Sequence, residues 1–164
     1  MPRAVAVLLA TTIALAVLVA SAAAESQTVN GKADIKKLVA DNGGSAVTAK
    51  VFGLGGPCTA KTLIVSIFWG AKAYEVQAIC DINGKWARGL YYNSGSVPGA
   101  VGTKKVSCRG FSLKYTAATK SWKAVVPRSC MSKAPSRIRV KAEGVNQSSA
   151  IPGEAGPTKL LRRG

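Results

Sequence analysis

The chain has 164 residues, with 23 Lys and Arg against 7 Asp and Glu, no His, and a formal charge of +16. That length suits one domain with tails, and the lack of His excludes His-based triads, His general bases and His metal ligands. Seventeen Gly and seven Pro without a short repeat exclude collagen and favour a turn-rich β fold.

Residues 1–24 read as a secretory signal peptide. Arg3 supplies the positive start, residues 4–20 are uncharged and apolar, and Ser21-Ala22-Ala23-Ala24 precedes Glu25. The small residues predict cleavage after Ala24. No later apolar run approaches membrane-spanning length, so no transmembrane segment is expected after cleavage. The expected location is secreted, extracellular or cell-wall associated, an oxidising space in which four Cys form two disulfides.

Residues 25–32 read as a short N-terminal lead. Segments 33–40 and 46–52 flank Asp41-Asn42-Gly43-Gly44, a strong turn cluster, and 32–40 is the one stretch whose period is ambiguous with a helix. Segment 62–69 (TLIVSIFW) is apolar on both faces, as a central strand would be. Segment 74–82 alternates: Tyr74, Val76, Ala78 and Cys80 face one way, Glu75 and Gln77 the other. Asn83-Gly84 predicts a two-residue hairpin turn into 85–92. Residues 93–102 form a loop, 104–115 and 121–127 another hairpin, and 136–142 a last alternating strand. Residues 144–164 read as a flexible basic tail. The expected fold is all-β, an immunoglobulin-like antiparallel β-sandwich of about eight strands over a disulfide-bonded domain at 33–143.

In the last hairpin, opposing Tyr115 to Trp122, Leu113 to Ala124 and Phe111 to Val126 gathers the apolar residues on one face and sets Lys114 against Lys123 on the other. A one-residue bulge at Gly110 then brings Cys108 opposite Cys130. A hairpin turning at 69–72 brings Cys58 near Cys80. Four Cys allow three connectivities, and these registers favour Cys58–Cys80 and Cys108–Cys130.

Residues 106–142 carry the most recognisable pattern: VSCRGFSLKY, SWKAVVPRSC and APSRIRVKA, preceded far upstream by Asp34-Ile35. This resembles a group of small secreted actinobacterial proteins of uncharacterised function. The resemblance spans roughly 32–142 and implies export, a β-sandwich-like fold and a disulfide. It implies no catalytic residue.

Catalytic chemistry finds little support. Glu75 and Asp81 lie about 20 Å apart along one strand at the usual rise, too far for a paired acid and base. Asp81-Ile82-Asn83-Gly84 begins like a calcium loop but lacks the later ligands and the closing Glu. No Gly-x-Ser-x-Gly elbow and no phosphate loop is present. No enzyme activity, cofactor or metal is expected. Most aromatics read as core, with Trp86 and Tyr92 the candidates for exposed stacking, on the face of Glu75 and Asp81.

Charge is the informative feature. Between Ile82 and Ala142 there are thirteen Lys and Arg and no acid. Alternation turns Lys105, Arg109, Lys114, Lys123, Arg137, Arg139 and Lys141 outward. Such residues also serve solubility and edge protection. As a site, these seven form a polyanion patch for an anionic polymer or anionic surface, without sequence-specific nucleic-acid binding. The expected function is a non-enzymatic secreted protein that binds an anionic envelope or extracellular partner. The alternatives are a cationic effector, such as an inhibitor or antimicrobial, and a carbohydrate-binding module.

Overall fold

The computed structural model describes residues 23–55, 58, 61–95, 104–146 and 152–164. The expected signal segment lies almost entirely outside them. The described residues form twelve strands: β1 (Glu25–Lys32), β2 (Ile35–Asn42), β3 (Ala46–Gly53), β4 (Lys61–Trp69), β5 (Lys72–Cys80), β6 (Trp86–Asn93), β7 (Lys104–Lys105), β8 (Ser112–Thr116), β9 (Ser121–Pro127), β10 (Arg137–Asn146), β11 (Gly153–Ala155) and β12 (Leu161–Arg162). A single 3-10 turn, Arg128–Cys130, is the only helical piece among the described residues.

Eleven strands follow one antiparallel path, β7-β6-β5-β4-β10-β11-β1-β2-β3-β9-β8, curled into a half-barrel, with β12 paired to β10. The all-β expectation holds. The eight-strand, two-sheet sandwich is corrected to this continuous path. The joint is made by two segments that carry no hydrophobic alternation. Polar β1 pairs with β2 from Glu25↔Asn42 to Asn30↔Lys37, and its end passes to β11 at Gly31↔Ala155. In turn, β11 pairs with β10.

The concave side holds the core. Leu38, Val51, Leu63, Val65, Val76, Leu90, Trp122, Ile138 and Val140 are all buried there. Strand period 2 explains the choice: Ile138, Val140 and Ala142 turn inward while Arg137 and Arg139 stay exposed. The two ends of the path meet through side chains. The Arg88 guanidinium on β6 donates to the Leu113 carbonyl on β8 at 3.0 Å. Trp86 meets the Trp122 ring edge-on at 4.8 Å, and Trp122 Nε1 donates to the Leu54 carbonyl at 3.1 Å. Both disulfides form as expected, Cys58–Cys80 with Cα atoms 5.3 Å apart and Cys108–Cys130 at 5.5 Å.

Three expectations change. Residues 104–115 do not make one strand: β7 and β8 sit at opposite ends of the path, and Arg109-Gly110 is a turn with Gly110 at φ +84°, not a bulge within a strand. Segment 25–32 is a paired strand, not a lead. The segment from 136, expected as a last alternating strand, is one, and it lies within the sheet between β4 and β11. Finally, the described part of the expected tail is folded onto the domain. Thr158 N donates to the Val140 carbonyl, Lys159 N to Gln27 Oε1 and Arg162 N to Glu25 Oε2, and Leu161 is buried.

Candidate functional site: a lysine ladder on the convex face

Antiparallel register sets directly opposed residues on one side of a sheet. On β3, β9 and β8 that register opposes Lys50 to Lys123 and Lys123 to Lys114, so three lysines stand in one row across three strands. The row is on the convex side, because its neighbours Val51, Trp122 and Leu113 turn into the core. At the usual strand separation, adjacent Cα positions lie about 5 Å apart.

One row over, Lys37 opposes Phe52. The Lys37 ammonium lies 4.4 Å from the Phe52 ring centre and the Lys50 ammonium 4.9 Å, so both cations sit on the half-buried ring. Ser112, Thr116 and Thr48 occupy neighbouring outward positions, and Asp41 is the acid on the outward side of β2, β3, β9 and β8. Among the described residues, none of Lys37, Lys50, Lys114 and Lys123 forms an ion pair.

The seven cations singled out from the sequence divide. Lys114 and Lys123 are neighbours in the ladder. Lys105 is exposed on β7, opposite Tyr91, and Arg109 is exposed in the turn between β7 and β8. The path places β11, β1, β2 and β3 between β10 and β9, so Arg137, Arg139 and Lys141 are not continuous with the ladder. Lys141 is in addition neutralised locally: its ammonium lies 2.8 Å from Glu143 and 3.6 Å from Glu154. The hydrogen bond to Glu143 holds its pKa above the usual lysine value, against the opposing pull of burial.

Sequence reasoning missed Lys37, Lys50 and Phe52. They lie upstream of the acid-free stretch, in a segment whose net charge is small. The available signal was the outward alternation of Ala46, Thr48, Lys50 and Phe52, combined with a β3–β9 pairing that sequence did not supply.

Trp86 and Tyr92 are also placed differently. They oppose Cys80 and Tyr74, on the concave side, away from Glu75. The cause is the turn. The Asp81 carboxylate accepts from Asn83 N at 2.9 Å and Lys85 N at 2.7 Å, and Asp81 N donates to the Lys85 carbonyl. Gly84, at φ +73°, completes a three-residue loop in place of the expected two-residue one, which turns β6 over by one position. Comparisons with protein-family models, with curated proteins and with solved structures return no match for this chain.

Proposed function

We propose that the chain is an exported, non-enzymatic protein that binds an anionic envelope or extracellular polymer through the convex face of β3, β9 and β8. The observation that carries this reading is the ladder Lys50–Lys123–Lys114. Like charges directly opposite on a sheet destabilise it. Unit charges about 5 Å apart, the Cα spacing of the row, repel by somewhat under 1 kcal/mol in water, within the ~8 Å screening length of physiological salt, and the long side chains spread the ammonium groups to bring the cost per neighbouring pair below that. A row with that cost and no acid inside it matches a ligand with regularly repeated negative charge. Two disulfides suit an oxidising extracellular space, and no helix among the described residues is long and apolar enough to cross a membrane.

The test is retention on immobilised anionic wall polymer at low salt. The wild type is expected to be retained, and the triple variant Lys50→Gln, Lys114→Gln, Lys123→Gln to elute early with an unchanged circular dichroism spectrum. Equal retention of both proteins would remove the ladder as the binding face.

A further inference from the structure

A second cationic feature lies elsewhere, in a pocket of about 270 Å³ between the β6–β7 pair and the turn following β9. Its walls include Tyr92, Lys104, Ser107, Ser129, Ser132 and Lys133, with no acid among them. Lys104 directly opposes Tyr92 across the β6–β7 pair, and the Lys133 ammonium lies 4.4 Å from the centre of the Tyr92 ring. Tyr92 itself packs against buried Tyr74 with ring centres 5.1 Å apart and planes tilted by 50°, so the ring beneath the Lys133 ammonium is fixed by the core.

A disulfide fixes the backbone that carries two of the hydroxyl groups. Ser107 precedes Cys108 and Ser129 precedes Cys130, and the bond between these cysteines, with Cα atoms 5.5 Å apart, holds the two serine-bearing segments together beside the pocket. The chain continues through backbone hydrogen bonds from Met131 N to the Arg128 carbonyl and from Ala134 N to the Met131 carbonyl, which fix the turn carrying Ser132 and Lys133.

We infer that this pocket binds the terminal phosphate monoester of a small polyol or sugar. A phosphate monoester carries close to two negative charges and three strong acceptor oxygens. Two ammonium groups and three hydroxyl donors, with no competing carboxylate, match that charge and acceptor count more closely than they match a two-oxygen carboxylate. The volume exceeds that of phosphate alone but is just below the usual range for drug-sized ligands, about 300–1,000 Å³, so it admits one polyol or sugar unit. The site does not depend on the lysine ladder.

The experiment is titration of the oxidised protein with glycerol 3-phosphate, inorganic phosphate and glycerol, followed by calorimetry and by amide NMR shifts. A glycerol-phosphate oligomer, with and without its terminal phosphate, distinguishes a polymer end from a free metabolite as the source. Glycerol 3-phosphate should move the Tyr92, Ser107 and Ser132 signals and bind more tightly than inorganic phosphate, and glycerol should not bind. Lys104→Gln with Lys133→Gln should lose at least about tenfold in affinity, while the ladder triple variant binds as the wild type does. Ser132→Ala offers a milder probe at the same site. No shift at these residues with any phosphate, or undiminished affinity in the Lys104/Lys133 variant, would overturn the inference. Loss of polymer retention by the ladder variant with pocket binding intact separates the two sites.

Discussion

Glu75 is a carboxylate with 0% of its surface exposed, on the convex side of a sheet whose strand period would give it to solvent. It accepts from Gln77 Nε2 at 2.9 Å and from Asn93 Nδ2 at 3.1 Å, and both partners are buried with it. Removing the acceptor leaves amide donors in a dry place, which costs more than the hydrogen bonds themselves contribute. Glu75→Ala is therefore expected to lower the unfolding free energy by roughly 1–3 kcal/mol in urea titration. An unchanged midpoint would show that the amides find other acceptors. The alternation of 74–80 was legible in the sequence and assigned the faces correctly. Burial of the polar face was not, because it depends on what lies over the strand and not on the strand's own pattern. At the same scale, the Asp81 carboxylate sets the turn that sequence reading had centred on Asn83-Gly84. Asp81→Ala should cost on the order of 1 kcal/mol by the same measurement. No loss would detach the β6 register from that side chain.

The strands show why some pairs were readable and others were not. The β8–β9 register was legible because Leu113, Tyr115, Trp122 and Ala124 must share the core face, and a one-residue slip would turn one strand's pair outward. The same reasoning had no purchase on β3–β9, whose partners are far apart in sequence, so Lys50, one of the three lysines in the row, stayed hidden. On β10, Lys141 and Glu143 lie two residues apart on one face and pair at 2.8 Å. Because the folded-state pKa of Lys141 is raised, the pair stabilises the protein fully below the ordinary lysine pKa of about 10.4. That contribution is lost as the pH climbs through the folded value. Glu143→Gln should bring the Lys141 titration back toward the ordinary value, read from its side-chain NMR signal. An unshifted titration would assign the effect to another group.

For the whole molecule, the decisive contributions come from segments without periodic signal. Strands β11 and β12 are three and two residues long, too short for alternation to register, and they follow Gly- and Pro-containing sequence that reads as tail. Yet β11 joins the two halves of the sheet, and Leu161 on β12 is fully buried beside Asn42, whose side-chain amide donates to the Leu161 carbonyl at 2.8 Å. Arg128 and Arg163 reach the turn at Gly43 and Gly44, where burial, then the nearby Arg163 charge, lowers the Arg128 pKa. Leu161→Ala should cost about 2–5 kcal/mol, as a buried leucine does. A cost below about 0.5 kcal/mol, typical of surface substitutions, would mean the segment is not part of the folded unit. The curl also decides where charge accumulates. Sequence located an acid-free stretch at 82–142, but only the strand order separates the β10 cations from the row on β3, β9 and β8.

The salt dependence of affinity for an anionic polymer tests that row most directly. Each bound phosphate releases counterions, so the slope of log affinity against log salt counts the lysines engaged. Neutralising Lys50, Lys114 and Lys123 together should reduce the magnitude of that slope by about 2–3, while Arg137→Gln with Arg139→Gln leaves it nearly unchanged. The reverse pattern, a slope held by the ladder variant and lost with the β10 pair, would contradict the account.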